Sequence, residues 1–230
     1  MSSVRPPWIR TFHPRRGRIG PRNAEALDRL WPRFGVPVPD RPAGVRDLGG
    51  LFGRRAPVVL EIGFGMGEAT AAIAAADPGR DFLVVEVHTP GVANLLGLIE
   101  RRGLTNVRVA HGDAVDLVSH LVPAGSLDAV HVYFPDPWPK ARHHKRRLIQ
   151  PEHVALLRSR LAPGGTLRCA TDWADYAGVM LATLDGDPGL TNAYGGFAPD
   201  PGPRPPTRFE RRGLDAGREI YDLVYRRTGA

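Results

Sequence analysis

Cysteine is almost absent from this sequence, in which Cys169 is the only one among 230 residues. A single cysteine excludes an intrachain disulfide and any metal site that needs several thiolates. Because it lies in an apolar run at residues 166–170, a small buried strand residue is the simplest interpretation. The adjacent His143 and His144 would point in different directions on any regular element, so we expect no metal site.

Long apolar runs are also missing. No stretch approaches the roughly 18 to 20 apolar residues that span a bilayer, because charge or glycine interrupts each candidate. The pair Arg15-Arg16 is not followed by an apolar segment, which makes it a poor export signal. We therefore expect a soluble, cytoplasmic protein with no membrane partner.

Acidic residues are outnumbered by basic ones, since 24 Asp and Glu against 31 Lys and Arg leave a formal net charge of +7. Lys and Arg that bind phosphates release counterions, which favours a polyanionic partner. Nucleic acid is the first expected partner, and an anionic membrane surface is the second. Nothing implies an obligate protein partner, and the sequence leaves open whether the chain is a monomer or a homodimer.

Two regions differ in composition. Residues 1–55 mix Pro, Gly and Arg with little periodicity, apart from a short helix expected at residues 23–30. We interpret residues 1–55 as a basic arm and linker. Residues 56–230 then alternate strands with helices and are expected to form one domain.

The alternation indicates an α/β fold, a Rossmann-like, doubly wound and mostly parallel sheet with an antiparallel edge strand. Apolar or alternating segments predict six strands, at residues 58–62, 82–87, 107–110, 127–134, 166–170 and 218–226. Helical segments between them are predicted up to residue 76 after the glycine-rich turn and at residues 91–102, 114–121, 151–161 and 173–184. A Pro- and Gly-rich loop is expected at about residues 185–206.

A glycine-rich turn and three acidic residues predict the cofactor site. The turn carries Gly63 and Gly65 but has Glu68 where a dinucleotide fingerprint requires glycine, which disfavours a pyrophosphate. Acidic residues stand at the ends of the first three strands of the domain, where such sheets bind ligands: Glu61, Glu86 and Asp113. S-adenosylmethionine has an ammonium group, a ribose diol and an adenine amine but no phosphate, and therefore suits carboxylates.

The segment after the fourth strand of the domain is the most unusual in the chain. Two prolines bracket Asp136 within the segment 135–140 (PDPWPK), so the carboxylate is held on a stiff loop at the same edge of the sheet. A basic run at residues 142–147 follows it directly. This combination predicts a positioned active-site carboxylate beside a surface that binds phosphates.

With these motifs, the sequence resembles the bacterial tRNA (guanine-N7-)-methyltransferase family over most of its length. The resemblance rests on the segments 60–67 (LEIGFGMG), 86–88 (EVH), 135–138 (PDPW), 170–173 (ATDW) and 207–210 (TRFE), with Lys140 and the basic run. Residues 10–12 and 15–18 resemble the family's N-terminal arm less closely. Residues 32–55 and 185–203 match no pattern of the family.

The resemblance implies roles for individual residues. Glu61, Glu86, Asp113 and Asp136 would line the pocket for S-adenosylmethionine, with Gly63 and Gly65 in its loop, and Asp136 would also be catalytic. The substrate guanosine would meet a second group, which is Lys140, Asp172, Thr207, Arg208, Phe209 and Glu210. The RNA would meet a third group, which is Arg142, His143, His144, Lys145, Arg146 and Arg147.

The chemistry of the implied reaction indicates what a catalytic carboxylate would do. Guanine N7 has a lone pair and no proton, so no base is needed, and a carboxylate would orient the purine and stabilise its developing positive charge. Side chains cannot reach N7 in the deep groove of an RNA helix, which makes an unstacked guanine the expected target, and the family suggests the variable loop of tRNA. Alternatives are a methyltransferase for another RNA, a protein amide or a small amine, and an RNA-binding module that no longer uses its pocket.

Overall fold

The computed structural model describes residues 9–12, 17–39, 47–200, 202 and 205–229. The helices are α1 (Pro21–Phe34), α2 (Leu48–Phe52), α3 (Glu68–Ala76), α4 (Thr89–Arg102), α5 (Ala114–His120), α6 (Pro151–Arg160), α7 (Ala174–Asp185) and α8 (Arg208–Asp215), with a 3-10 helix at Ala141–Arg146. The strands are β1 (Gly35–Pro37), β2 (Val58–Ile62), β3 (Asp81–Glu86), β4 (Val107–His111), β5 (Leu127–Tyr133), β6 (Leu161–Thr171), β7 (Leu190–Asn192) and β8 (Tyr221–Arg227).

These strands form one sheet in the order β1-β4-β3-β2-β5-β6-β8-β7. The pairs from β1 to β6 are parallel, whereas β8 runs antiparallel to both β6 and β7. The predicted α/β fold with a mostly parallel sheet and an antiparallel edge is confirmed. The short strand β7, which the sequence did not indicate, lies outside β8.

Helices cover both faces of the sheet because its central strands are apolar on both sides. All five residues of β2 are buried, as expected for a strand between two helical layers. One core packs the sheet against α2, α5, α6 and α7, and the other packs it against α1, α3 and α4. The two layers leave the carboxyl ends of the parallel strands at one shared edge, where the loops that carry the motifs begin.

The structure corrects the interpretation of residues 1–55 as an arm and linker. Helix α1 has 14 residues where eight were predicted, and it buries Leu30 and Phe34 in the core because its apolar residues recur at helical spacing. Arg29 forms an ion pair with Glu100 of α4. Strand β1 then pairs with β4, so the folded unit includes residues well before position 56. Arg15 and Arg16 lie outside the described residues.

No helix in the described part of the chain has the length and the apolar content that a membrane span requires. Cys169 is fully buried in β6, as the sequence predicted, and its surroundings raise the pKa of the thiol to about 12, chiefly through burial. A neutral thiol in such surroundings behaves as a small apolar side chain.

Candidate active site

Glu61 lies at the carboxyl end of the central strand β2 and is only 5% exposed. Burial raises the pKa of its carboxyl to about 7, and the negative charge of Glu86 adds to this rise. A hydrogen bond with Thr70 opposes this rise in pKa but leaves the carboxylate poorly solvated, so a cationic ligand group beside it would be bound strongly. Glu61 therefore has the chemistry that an ammonium group requires.

Glu86, at the end of β3, connects two loops of the site. Its Oε2 accepts a hydrogen bond from the Gly65 amide at 2.9 Å. Its Oε1 accepts hydrogen bonds from the amides of Val87 and His88 at 2.7 and 3.0 Å. A carboxylate accepts about four hydrogen bonds, so one position remains for a ligand hydroxyl.

The glycine-rich loop after β2 requires glycine at several positions. Gly63, Gly65 and Gly67 all have left-handed φ angles, of 81°, 60° and 81°. A Cβ atom on Gly91, in the first turn of α4, would lie 1.9 Å from the Gly65 carbonyl oxygen, so helix and loop are in backbone contact. A Cβ atom on Gly63 would meet nothing within 4 Å, so this side of the loop borders open space.

Asp113 follows β4 and caps the helix α5. Its Oδ1 accepts a hydrogen bond from the Val115 amide at 2.8 Å, which fixes the carboxylate at the start of the helix. The structure thus brings the three acidic residues that were predicted for the cofactor to the ends of three neighbouring strands.

The loop that carries Asp136 is strained at both ends. Phe134 and Trp138 have left-handed φ angles of 53° and 47°, a conformation that bulky residues rarely adopt. The Phe134 amide donates to the Ala170 carbonyl at 2.8 Å, and the Trp138 indole donates to the Thr11 carbonyl at 3.2 Å. Strain of this kind persists only where the surroundings hold the backbone, and it concentrates at functional sites.

The basic run forms the 3-10 helix directly beside this loop. Lys140, Arg142 and Lys145 are exposed, whereas His143 and His144 are partly buried. The Arg146 guanidinium lies 4.9 Å from the centre of the Trp138 ring, and the His143 ring meets the same indole edge-on. Most of the run is therefore available to a polyanion next to Asp136.

Arg147 is the exception, and the expectation that it contacts RNA is corrected by its burial. Its side chain is only 2% exposed, and the guanidinium lies over the ring of the buried Tyr176 at 4.7 Å. Its Nε donates to the Pro137 carbonyl at 2.9 Å, and its Nη2 donates to Asp175 at 2.5 Å. The six residues of the basic run are similar in sequence, but the side chain of the last one, Arg147, is buried in the core.

Helix α8, which the sequence did not predict, brings the segment 207–210 to the site. The Thr207 hydroxyl accepts from the Glu210 amide at 3.1 Å, and the Glu210 carboxylate accepts from the Thr207 amide at 3.1 Å. These two side chains form a capping box, whose spacing was a helix-start signal in the sequence. The Phe209 ring is half-exposed and comes within 4.0 Å of a Cβ position on Gly65.

Asp172 lies at the end of β6 and faces the same helix. Its Oδ2 forms an ion pair with Nε of Arg218 at 2.8 Å, and α8 approaches it closely at Gly213. The predicted site residues thus lie at or after the carboxyl ends of β2 to β6, or at the start of α8. Sequence reasoning missed Arg218, and no local pattern indicated it, because the two residues meet only through the fold.

Comparisons with known proteins agree with this geometry. A family model described as "Putative methyltransferase" matches residues 55–223. A tRNA (guanine-N(7)-)-methyltransferase of Halorhodospira halophila is 57% identical over 96% of this chain and 96% of its own. One of Streptomyces coelicolor is 56% identical over 96% of this chain and 81% of its own.

Solved structures show the same fold at low sequence identity. The 16S rRNA methyltransferase KamB is 17% identical, with a TM-score of 0.56 over 84% of this chain and 98% of its own. A 30S ribosomal A1408 methyltransferase from an uncultured bacterium is 13% identical, with a TM-score of 0.54 over 81% of this chain and 98% of its own.

Fold, glycine-rich loop and strand-end carboxylates together define a methyltransferase with the Rossmann-like sheet, and S-adenosylmethionine is the methyl donor that this class implies. The chain belongs to the tRNA (guanine-N(7)-)-methyltransferase family. The predictions of family and cofactor are thereby confirmed. The residues present fit the cofactor, because Glu61 is buried with a raised pKa, Glu86 keeps one acceptor position and the loop borders open space at Gly63.

Proposed function

We propose that this protein transfers the methyl group of S-adenosylmethionine to N7 of a guanine in tRNA, which forms 7-methylguanosine. One observation supports the proposed role of an individual residue, Asp136. Asp136 lies on a strained loop, between two left-handed residues, in a chain 57% identical to a protein named for this activity. The exposed cations of the 3-10 helix lie directly beside that loop.

The cofactor is held by the ends of β2, β3 and β4. When bound, S-adenosylmethionine would supply the methyl group of its sulfonium, whose sulfur becomes neutral as the positive charge passes to the purine. Glu61 would meet the ammonium end, Glu86 would accept from a ribose hydroxyl at its remaining acceptor position, and Asp113 would lie near the adenine amine. Gly63 and Gly65 let the backbone approach closely, which side chains at these left-handed positions would prevent.

Asp136 acts on the guanine by position and charge. The purine gains positive charge as its N7 forms the new bond, and a fixed carboxylate within reach stabilises that charge without reorganising. No proton has to leave N7, so Asp136 does not act as a base. The strained loop supports this role because it fixes the carboxylate before the substrate arrives.

The other substrate contacts come from Lys140, Asp172 and the segment 207–210. Thr207 and Glu210 hold each other in the capping box, so they act by placing the start of α8. Arg208 and Phe209 are exposed, and the Phe209 ring lies beside the glycine-rich loop, so these are the side chains of the segment that would meet a substrate. Phe209 offers a ring on which an unstacked base can lie.

The RNA contacts come from the 3-10 helix, chiefly from Arg142, Lys145 and Arg146, with His143 and His144 beside them. Phosphate contacts position an RNA without reading its sequence. An unstacked guanine is the proposed target because the deep groove of an RNA helix hides N7, and the family resemblance suggests the variable loop of tRNA. All contacts proposed here come from one chain, so they require no partner subunit. The proposed location is the cytoplasm, where tRNA is processed.

The experiment that tests the function measures methyl transfer from labelled S-adenosylmethionine to unmodified tRNA, followed by nucleoside analysis. We expect label in 7-methylguanosine only. A matched tRNA with 7-deazaguanine at the modified position lacks the acceptor nitrogen and should take up no label. Label in another nucleoside, or in the 7-deazaguanine tRNA, would contradict the proposed target atom.

A further inference from the structure

Arg147 joins two loops of the active site, and this link suggests a role that its neighbours in the basic run do not share. Its guanidinium donates to the Pro137 carbonyl, one residue after Asp136, and to the Asp175 carboxylate in the first turn of α7. Helix α7 begins at Ala174, two residues after Asp172, which directly follows the last residue of β6. One buried side chain therefore bridges the loop after β5 and the loop after β6.

The surroundings of Arg147 hold it in one orientation. The guanidinium lies over Tyr176, whose hydroxyl accepts a hydrogen bond from the Ile149 amide at 3.0 Å. Asp175 is 60% exposed, and the hydrogen bond from Arg147 lowers the pKa of its carboxyl, which keeps the ion pair charged at neutral pH. A planar fork with fixed donors can satisfy a carbonyl and a carboxylate together, whereas a lysine ammonium is a point charge.

Stability alone explains this arrangement poorly. Burying a cation costs free energy, and ion pairs in such places are often no better than apolar side chains of similar volume. In addition, Nη1 of Arg147 is buried and meets no hydrogen-bond acceptor in the described part of the chain. An unmet donor of this kind costs about 1–3 kcal/mol. What the residue does provide is a fixed position for the Pro137 carbonyl.

That carbonyl lies in the strained loop. The Phe134 end is tied to β6 through the Ala170 carbonyl, and the far end depends on Trp138 and on Arg147. Without the contact at Pro137, the backbone between two left-handed residues is free to relax toward more favourable angles. Asp136 would move with it, and displacements of about 1 Å can cost on the order of 100-fold in rate.

We infer that Arg147 is a positioning residue for methyl transfer, which holds the Asp136 loop against α7, and that it is not an RNA contact. The inference rests on the role proposed above for Asp136. It separates the basic run into two functions that the sequence does not distinguish. Residues exposed on the 3-10 helix bind the polyanion, and the buried residue at its end fixes the geometry of the reaction.

The test compares Arg147→Met with Arg142→Met, two arginines of the same run with opposite exposure. For Arg147→Met we expect kcat at saturating tRNA to fall about 10- to 100-fold, with the tRNA Kd and its salt dependence unchanged within about twofold. For Arg142→Met we expect the main effect on binding instead, with a weaker tRNA Kd and a salt slope lowered by about 1. Arg147→Lys should recover part of the lost kcat, because it restores the charge but not the fork.

Two results would overturn the inference. One is a wild-type kcat in Arg147→Met, and the other is a loss of tRNA affinity and salt slope like that of Arg142→Met. If Arg147→Met does not fold, Asp175→Asn decides, since this exposed position weakens the same link from the other side; an unchanged kcat there also rejects the inference. Product analysis of the wild type is separate, because the absence of 7-methylguanosine would refute the proposed function and not the link.

Discussion

The loops at the carboxyl edge of the sheet are held mainly by backbone amides on one side and by side-chain bridges between more distant segments on the other. On the cofactor side, which is formed by the ends of β2, β3 and β4, Glu86 accepts hydrogen bonds from amides one and two residues away and from Gly65. On the substrate side, which is formed by the ends of β5 and β6 and by α8, Arg147 reaches Asp175 across 28 residues. There, the indole of Trp138 donates to a carbonyl 127 residues away.

This difference follows from what each side binds. A cofactor of fixed shape can be held by backbone amides and carboxylates that a turn and a strand end supply locally. A large RNA must instead meet loops from distant parts of the chain, and their relative position depends on bridges between them. We expect substitutions on the cofactor side to change cofactor affinity or stability, and those on the substrate side to change rate or RNA affinity.

The largest effect is expected on the substrate side, at Asp136. Asp136→Asn keeps the size of the side chain but removes the charge that stabilises the developing cation, so kcat should fall about 100- to 1000-fold. Asp128→Asn is the matched control. Asp128 lies at the start of β5, far from the loop that follows the end of this strand, so the substitution should leave kcat unchanged. Single-turnover experiments measure the rate of methyl transfer, and a separate binding experiment measures the tRNA affinity of each variant. An active Asp136→Asn would refute the catalytic role.

The second effect tests the backbone contact on the cofactor side. The added methyl group in Gly91→Ala would collide with the Gly65 carbonyl, so the helix or the loop must move. We expect a loss of about 1–3 kcal/mol in the free energy of unfolding and at least tenfold weaker cofactor binding. Gly97→Ala on the same helix meets only the flexible end of Arg101 and should change stability by less than about 1 kcal/mol. Equal behaviour of the two variants would disprove the close contact.

Glu61 should make cofactor binding depend on pH. With a pKa of about 7, its carboxyl is largely protonated at pH 6 and charged at pH 8, so wild-type affinity should rise over this range. Glu61→Gln should bind the cofactor about tenfold more weakly at pH 8, with a smaller difference at pH 6. Calorimetry measures the cofactor affinity of the wild type and of Glu61→Gln at both pH values. Glu68→Gln, at an exposed neighbouring position, is the control. A flat wild-type profile would reject the interaction with the ammonium group.

The same carboxyl makes the stability of the cofactor-free protein fall as the pH rises. Because the folded state binds this proton more tightly than the unfolded state, its contribution to the free energy of unfolding is complete below about pH 4.5 and is lost by about pH 7. Its size is about 3 kcal/mol, from a rise of roughly two and a half pKa units. Denaturant unfolding should show this decline in the wild type relative to Glu61→Gln.

The smallest effect is expected at Thr207. Thr207→Ala removes the hydroxyl that accepts from the Glu210 amide, which should cost about 1 kcal/mol of stability and little kcat. Thr207→Ser keeps the hydroxyl and should behave as the wild type in both thermal unfolding and methyl transfer. A large loss of kcat in Thr207→Ala, without a matching loss of stability, would indicate a direct substrate contact.

Local signals in the sequence were sufficient for much of the fold and of the cofactor side. Apolar runs of strand length indicated the six longer strands, and an acidic residue at each strand end indicated Glu61, Glu86 and Asp113. Signals failed where elements were short or where a pattern had two interpretations. The strands β1 and β7 have three residues each, too few for a periodicity, and the capping-box spacing at residues 207–210 was not interpreted as a helix start.

The sequence by itself determined the sheet, the family and the types of residue at the carboxyl edge, because these depend on patterns within a few residues of the chain. Only the tertiary structure decided which residues of a motif face the ligand and which face the core. The basic run shows this, since Arg142 is exposed and Arg147 is buried over Tyr176. The reason is physical, because burial and ion pairing depend on elements that pack together from distant parts of the chain.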